Sequence, residues 1–116
     1  MNSEQLNKLG AIILDASIEV HKQLGPGLLE SVYELSLFKE LFSRNVNAKK
    51  QVAIPVLYKG EDLYAEFKID ILVENEIVIE LKAVEILLPV HKAQLLTYLR
   101  LSEKKLWYLI NFNVPK

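Results

Sequence analysis

The sequence predicts a single α/β domain over residues 1–116, with elements in the order helix, helix, three strands, helix, strand. Two observations predict this order. Apolar residues recur at spacings of three and four in the two segments of the first two helices, and they alternate or cluster as branched and aromatic runs in four others. A chain of 116 residues buries roughly two thirds of its unfolded surface, which suffices for one two-layer core. We therefore expect no second domain within these residues.

The first two predicted helices are separated by Gly25-Pro26-Gly27. An apolar stripe over residues 6–24 predicts the first helix, with Ser3 as its expected N-cap. This helix should end at the turn, because proline disfavours helical geometry in the residue before it and glycine adopts positive φ at low cost. A second stripe over residues 29–42 predicts the second helix.

The remaining elements are three strands, a helix and a final strand. Val52, Ile54 and Val56 alternate with their neighbours, and Pro55 among them favours an edge strand because proline cannot donate a ladder hydrogen bond. Pro89 favours a helix start, since the first turn of a helix leaves its N–H groups unpaired. The other predicted boundaries are a turn at 59–62, strands at 64–73 and 77–84 joined by a loop at 74–76, a helix at 90–101 and a strand at 106–112.

The composition excludes several classes of site. The chain has 14 Lys and Arg against 15 Asp and Glu, so no overall positive field attracts polyanions. It has no cysteine, which excludes disulfides, thiolate zinc sites, iron–sulfur clusters and a cysteine nucleophile. The sequence shows neither a signal-peptide pattern nor an apolar run of the ~18 residues that a membrane span needs. We therefore expect a cytoplasmic protein with no membrane partner.

Three charged residues interrupt two otherwise apolar strands: Asp70, Glu80 and Lys82. Burying an unpaired charge is costly, so each needs a partner, a metal or access to water. The two-residue period of a strand places Glu80 and Lys82 on one face. The ordinary interpretation is a salt-bridged sheet face, with Lys82 paired to Glu80 and Asp70 in solvent near the strand end.

The hairpin loop between these strands decides whether the two acids meet. A two-residue loop would point Asp70 and Glu80 to opposite faces. We favour a three-residue loop in which Val73 pairs with Ile77, because it places Asp70 opposite Glu80 with Cβ atoms about 4.5–5.5 Å apart. Carboxylates that close repel unless a cation neutralises them, and oxygen ligands suit Mg²⁺ or Mn²⁺. Lys82 would then hold an attacking water or stabilise charge on a phosphate.

Polar residues at helical spacing form two further sets. They are His91, Gln94 and Tyr98 on the third helix, and Glu30, Tyr33 and Glu34 on the second. Gln and Tyr on one helix face can bind a base, a phosphate or a catalytic carboxylate. The ordinary interpretations are boundary-layer polar residues on the third helix, above all for His91, and first-turn glutamates that favour the helix dipole on the second.

The segment Gly27-Leu28-Leu29-Glu30-Ser31-Val32-Tyr33 resembles the signature of the GxxExxY proteins. The other matching segments extend the resemblance over nearly the whole chain; they are residues 19–27, Asp70 with Glu80-Leu81-Lys82, residues 91–98 and residues 109–112. The family is similar to the PD-(D/E)XK nuclease superfamily. The resemblance implies a restriction-endonuclease-like α/β core with a mixed central sheet, in the element order already predicted. Ile69 stands where the superfamily has proline, and the chain ends at Lys116, so we expect the family's terminal tail to be missing.

The resemblance also implies roles for individual residues. Asp70, Glu80 and Glu30 would be catalytic acids that ligate the metal, and Lys82 would be the catalytic lysine. Gln94 and Tyr98 would match the Gln-x-x-x-Tyr element of exonuclease-like members. We expect His91 and Tyr33 beside them on the substrate side. We also expect Glu30 to border the same cleft as His91, Gln94 and Tyr98.

Two functions are compatible with this pattern. The first is a Mg²⁺- or Mn²⁺-dependent nuclease that hydrolyses phosphodiester bonds, with DNA or RNA as its partner. The second is a catalytically silent binding or assembly module that keeps the nuclease fold and could form a homodimer. Balanced charge favours the second. The combination of Glu30, Asp70, Glu80 and Lys82 favours the nuclease, because a merely structural sheet has no need of that cluster.

Overall fold

A computed structural model of the protein describes residues 1–84, 87–102, 104 and 106–113. Its elements follow the predicted order and confirm the α/β class; they are α1 (Ser3–Leu24), α2 (Glu30–Ser43), β1 (Ala48–Tyr58), β2 (Glu61–Val73), β3 (Ile77–Lys82), α3 (Pro89–Ser102) and β4 (Leu106–Asn111). None of the helices within the described residues combines the length and the apolar character needed to cross a bilayer.

The four strands form one mixed sheet in the order β1-β2-β3-β4. β1, β2 and β3 pair antiparallel, whereas β4 pairs parallel with β3 after the crossover through α3. The edge position predicted for the proline-containing strand is confirmed, and the β1–β2 register shifts between Pro55 and Leu57. The shift follows from the missing N–H of proline, which interrupts the ladder.

Helices cover both faces of the sheet. On one face α1 and α2 pack Ile13, Tyr33 and Leu37 against a sheet surface that includes Ile71 and Ile79. On the other face Leu95 of α3 packs in a second cluster, whose sheet residues are Ile69, Leu72 and Val78. We call these the α1/α2 face and the α3 face.

The β1–β2 hairpin changes face halfway along its length. Ile71 belongs to the α1/α2 face and Ile69 to the α3 face, although two residues of a regular strand at this spacing share a face. On the paired strand, Ala48 packs on the α1/α2 face and Val52 on the α3 face. The change of face therefore occurs at Gln51, whose φ is 52°, and at Asp70 beside it. We call this local rotation of the two strands the twist.

Three predicted boundaries need correction. β2 begins at Glu61, inside the turn expected at 59–62. The N-cap of α1 is Asn2, not Ser3, because the Asn2 side chain accepts from the Gln5 N–H and the Gln5 side chain accepts from the Asn2 N–H. The third strand ends at Lys82, before Val84. The backbone of Val84 bonds to the side chain of Asn111 in both directions, so a side chain replaces the ladder there.

Gly10 lies on the buried side of α1, directly against the ring and hydroxyl of Tyr108 on β4. We expect Gly10→Ala to destabilise the fold by ~1–3 kcal/mol, although alanine favours a helix over glycine by ~1 kcal/mol. The added methyl group has no room until Tyr108 moves. The check is chemical denaturation of Gly10→Ala, Tyr108→Phe and the double variant. Removing the hydroxyl should restore stability, and a gain of stability in Gly10→Ala alone would contradict the packing.

Candidate active site

The register of β2 and β3 is that of the three-residue loop. Val73 pairs with Ile77, Leu72 with Val78 and Ile71 with Ile79, which confirms the favoured hairpin. The next pair in this register is Asp70 and Glu80. The sequence thus brings the two acids opposite each other at the point where the regular ladder ends.

At Asp70 and Glu80, hydrogen bonds to side chains replace the backbone ladder between β2 and β3. The backbone N–H of Asp70 donates to Oε1 of Glu80 at 3.2 Å, and the N–H of Leu81 donates to Oδ2 of Asp70 at 2.8 Å. Each acid is therefore anchored to the strand that carries the other. These hydrogen bonds restrict the side-chain rotamers of both acids.

The two acids open onto different cavities. Asp70 lines a cavity of about 160 Å³, which we call the acidic cavity; its walls are Glu30, Ser31, Glu34, Gln51, Asp70 and Leu81. Glu80 lines a cavity of about 90 Å³, which we call the basic cavity; its walls are Lys68, Glu80, Lys82, His91, Gln94, Leu95 and Leu109. The pair of acids therefore separates a carboxylate-rich space beside α2 from a lysine-rich space beside α3.

Burial dominates the electrostatics of Glu80, which is only 8% exposed. Loss of solvation raises the pKa of Glu80 to about 8, and the negative charge of Asp70 adds to the rise. The hydrogen bond from the Asp70 N–H and the positive charge of Lys82 lower the pKa of Glu80 in part. In the acidic cavity, partial burial and the charge of Asp70 raise the pKa of Glu34, while a hydrogen bond from Gln51 lowers it. Burial and the neighbouring acid thus both favour the protonated forms of Glu80 and Glu34.

The predicted convergence of Glu30, Asp70 and Glu80 on Lys82 needs correction. Glu30, the first residue of α2, faces Asp70 across the acidic cavity, whereas Glu80 and Lys82 line the basic one. Within the described part of the chain, no three His, Asp or Glu side chains come together as a metal-holding group. The cause is the twist at Gln51 and Asp70, which directs Asp70 toward α2.

The helical residues are likewise divided. His91 and Gln94 line the basic cavity, so the expectation that they share a cleft with Glu30 is not met. The Nδ1 atom of His91 accepts from the N–H of Leu88 at 3.1 Å, close to the start of α3. The side chain of Tyr98 lies outside the described residues, and its substrate role stays a prediction.

Tyr33 does not take the substrate-side position predicted for it. Its side chain is fully buried, stacks on Phe112 with ring centroids 4.6 Å apart, and lines neither cavity. Its hydroxyl donates to the carbonyl of Gly25 at 2.6 Å and accepts from the N–H of Leu28 at 3.1 Å. Tyr33 therefore holds the loop before α2, because its hydroxyl satisfies two backbone groups of that loop.

Several wall residues of these cavities are absent from the predicted site, among them Gln51 and Lys68. Lys68 lies two residues before Asp70 on β2, a spacing that could have drawn attention to it. Gln51 has no local signal, because its position beside Asp70 depends on the register of β1 with β2.

A larger cavity of about 470 Å³ at Phe38 and Phe42 has no titratable side chain among its described lining residues.

The family model of the PD-(D/E)XK nuclease superfamily matches residues 7–116. The chain belongs to this superfamily. The sequence around Ile69-Asp70 and Glu80-Leu81-Lys82 has the form of the D and ExK elements in the superfamily's name, with isoleucine where the name has proline. The mixed sheet with helices on both faces is consistent with a restriction-endonuclease-like fold. No curated protein and no solved structure matches the chain.

Nucleases of the PD-(D/E)XK superfamily generally use divalent metal ions. Asp70 and Glu80, which are opposite each other in the β2–β3 register, carry carboxylate oxygens, which are hard ligands. Mg²⁺ commonly binds through one or two carboxylates together with waters and substrate phosphates. The residues present therefore fit a cation of this class.

Proposed function

We propose that the protein is a Mg²⁺- or Mn²⁺-dependent nuclease that hydrolyses phosphodiester bonds in DNA or RNA, as one nuclease-like domain over residues 1–116 in the cytoplasm. The observation that carries the proposal is the anchored pair of Asp70 and Glu80, with Lys82 two residues further along β3. A salt-bridged sheet face would pair each acid with a base. Here the register sets two acids opposite each other, near enough for the charge of Asp70 to raise the pKa of Glu80, although the acids open onto different cavities. A cation stabilises such a pair.

Asp70 and Glu80 would hold the metal between them, and Glu30 would contribute from the wall of the acidic cavity, through water. A bound divalent cation supplies Lewis-acid polarisation of a phosphate and a more acidic water. The chain's own contribution is to keep both carboxylates in place before the cation arrives. Their hydrogen bonds to Asp70 N–H and Leu81 N–H provide this preorganisation.

The basic cavity would receive the substrate phosphate. Lys82 is half-buried there, where its ammonium group can hold the attacking water or stabilise charge on the phosphate. Lys68 adds a second positive charge, and Gln94 and His91 add groups that can form hydrogen bonds to the nucleic acid. Local charge at the site therefore replaces the basic surface that the chain as a whole lacks.

We further propose that the protein belongs to the GxxExxY group. The spacing of this motif has a physical explanation. Gly27 adopts a φ of 98°, Glu30 begins α2 at the acidic cavity, and Tyr33 closes the preceding loop through its hydroxyl. The glycine permits the turn, and the tyrosine fixes the helix start that presents the glutamate.

The proposal predicts a metal-dependent gain of stability that needs Asp70. With Mg²⁺ at about 100 times its Kd, the wild-type protein should gain ~2.7 kcal/mol of unfolding free energy. Asp70→Asn should lose at least about tenfold in affinity, and hence ~1.4 kcal/mol of that gain. Without metal the variant should be as stable as the wild type or more stable, because one repulsive charge is gone. Thermal unfolding against Mg²⁺ and Mn²⁺ concentration, alongside cleavage of DNA and RNA, measures both.

The matched control is Asp62→Asn, an exposed aspartate near the tip of the same hairpin. It makes the same change of charge and should keep the full response to metal. If neither cation raises the melting temperature and Asp70→Asn destabilises strongly, the charges are structural. The catalytically silent binding or assembly module would then be the better interpretation.

A further inference from the structure

We infer that Gln51 is a positioning residue, which fixes the orientation of the Asp70 carboxylate for cation binding; the inference rests on the proposed function. Gln51 lies in the middle of β1, opposite Asp70 in the antiparallel register. It lines the acidic cavity with Glu30, Glu34 and Asp70. It would act through Asp70 and not through contact with the substrate.

The first argument is the contact geometry. The Nε2 atom of Gln51 lies 2.6 Å from Oε1 of Glu34 and 3.4 Å from Oδ1 of Asp70. One amide group thus donates to two carboxylates that would otherwise repel each other. The second oxygen of Asp70, Oδ2, accepts from Leu81 N–H. Donors from β1 and β3 therefore hold both oxygens of Asp70.

The second argument is the backbone conformation. Gln51 has a φ of 52° inside a strand, a region that side chains other than glycine rarely adopt. Of the other non-glycine residues with positive φ, Asn45, Lys59, Glu74 and Asn75 lie in turns and Tyr64 lies in the exposed part of β2, whereas Gln51 lies between two paired residues of the β1–β2 ladder. Glycine would adopt the Gln51 conformation with less strain. A glutamine at this position is explained if its amide group is needed.

The two arguments have one structural origin. The hairpin changes face at Gln51 and Asp70, which turns Asp70 toward α2 and brings it near Glu34. The twist alone would leave the carboxylates of Asp70 on β2 and Glu34 on α2 beside each other in the acidic cavity. The Gln51 amide connects the twisted strand, the helix and the acid into one rigid unit. Residues that orient metal ligands in this way usually change metal affinity by about 10- to 100-fold when replaced.

The test compares Gln51→Gly with Gln51→Ala. The glycine variant removes the amide and relieves the backbone strain, whereas the alanine variant removes the amide alone. By calorimetry, both should bind Mg²⁺ or Mn²⁺ about 10- to 100-fold more weakly than the wild type. Without metal, Gln51→Gly should melt at the same temperature as the wild type or higher. A merely structural residue would lose stability and keep its affinity for the cation.

A readout without metal comes from amide hydrogen exchange. The Leu81 N–H is protected by Asp70, so it should exchange at least about tenfold faster in both variants. The Glu76 N–H, which bonds to the Val73 carbonyl in the hairpin turn, should keep its rate. The matched control is Tyr64→Gly, which relieves a φ of 56° at a residue that is 96% exposed on the same hairpin. It should change neither the cation affinity nor the Leu81 exchange rate.

The outcomes separate this inference from the proposed function. If the wild type binds the cation and both Gln51 variants bind it equally well, the inference is overturned and the proposed function stands. If the wild type binds neither Mg²⁺ nor Mn²⁺, the proposed function fails and the inference fails with it. Weakened cation binding together with faster Leu81 exchange, and an unchanged Glu76 rate, supports the inference.

Discussion

Replacing Lys82 by methionine is expected to slow metal-dependent cleavage by about 10²- to 10³-fold, with little change in substrate affinity. Lys82 lines the basic cavity next to Glu80, and its proposed work is done on charge that develops in the transition state. A group that acts only there changes kcat and leaves KM nearly unaltered. Methionine keeps much of the length and apolar surface of the lysine stem, so the fold should persist.

Cation binding distinguishes this result from a structural defect. Lys82→Met should bind Mg²⁺ as tightly as the wild type or more tightly, because a neighbouring positive charge is removed. The measurements are single-turnover cleavage of a labelled nucleic acid and calorimetric titration of Mg²⁺. Lys59→Met, at the exposed tip of the β1–β2 hairpin, is the control for the loss of one positive charge. Normal cleavage by Lys82→Met would remove Lys82 from the mechanism.

The features that the sequence predicts correctly are those with a local physical cause. Pro55 predicts the edge strand because it lacks an N–H, and the Gly25-Pro26-Gly27 turn separates the two helices for conformational reasons. The pairing of Val73 with Ile77 follows from the length of the three-residue loop at residues 74–76. Each of these signals lies within a few residues of the feature that it predicts.

The division of the site into two cavities could not be predicted in the same way. Period-two counting assumes a regular strand, whereas β2 changes face between Ile71 and Ile69. That change depends on the conformation of Gln51 in a different strand. For Tyr33, helical spacing from Glu30 shows where the residue lies on α2 but not that its hydroxyl bonds back to Gly25. Such contacts depend on tertiary packing, which local spacing does not encode.

The stability of the metal-free protein should fall as pH rises, because of Glu80. Its pKa is raised from 4.5 to about 8 in the fold by burial and by Asp70, so between these values the folded state binds one more proton than the unfolded state. The unfolding free energy therefore decreases with pH over this interval, by up to ~1.4 kcal/mol per pH unit for one proton. The contribution is fully present below about pH 4.5 and is lost as pH rises through about 8.

Glu80→Gln is expected to remove this contribution and to be more stable than the wild type at pH 8 to 9 without metal, because the glutamine amide stays neutral while its oxygen can still accept from Asp70 N–H. The measurement is denaturant unfolding in the presence of a chelator from about pH 5 to 9, read as the difference between variant and wild type at each pH. Glu66→Gln, on the exposed part of β2, should follow the wild-type curve.

Added Mg²⁺ should stabilise the wild type more at pH 9 than at pH 6, since the cation and the proton compete for the same carboxylate. If Glu80→Gln is instead less stable than the wild type at pH 9, the ionised Glu80 has a stabilising partner in the fold, and an unoccupied acidic pair that needs a cation is contradicted.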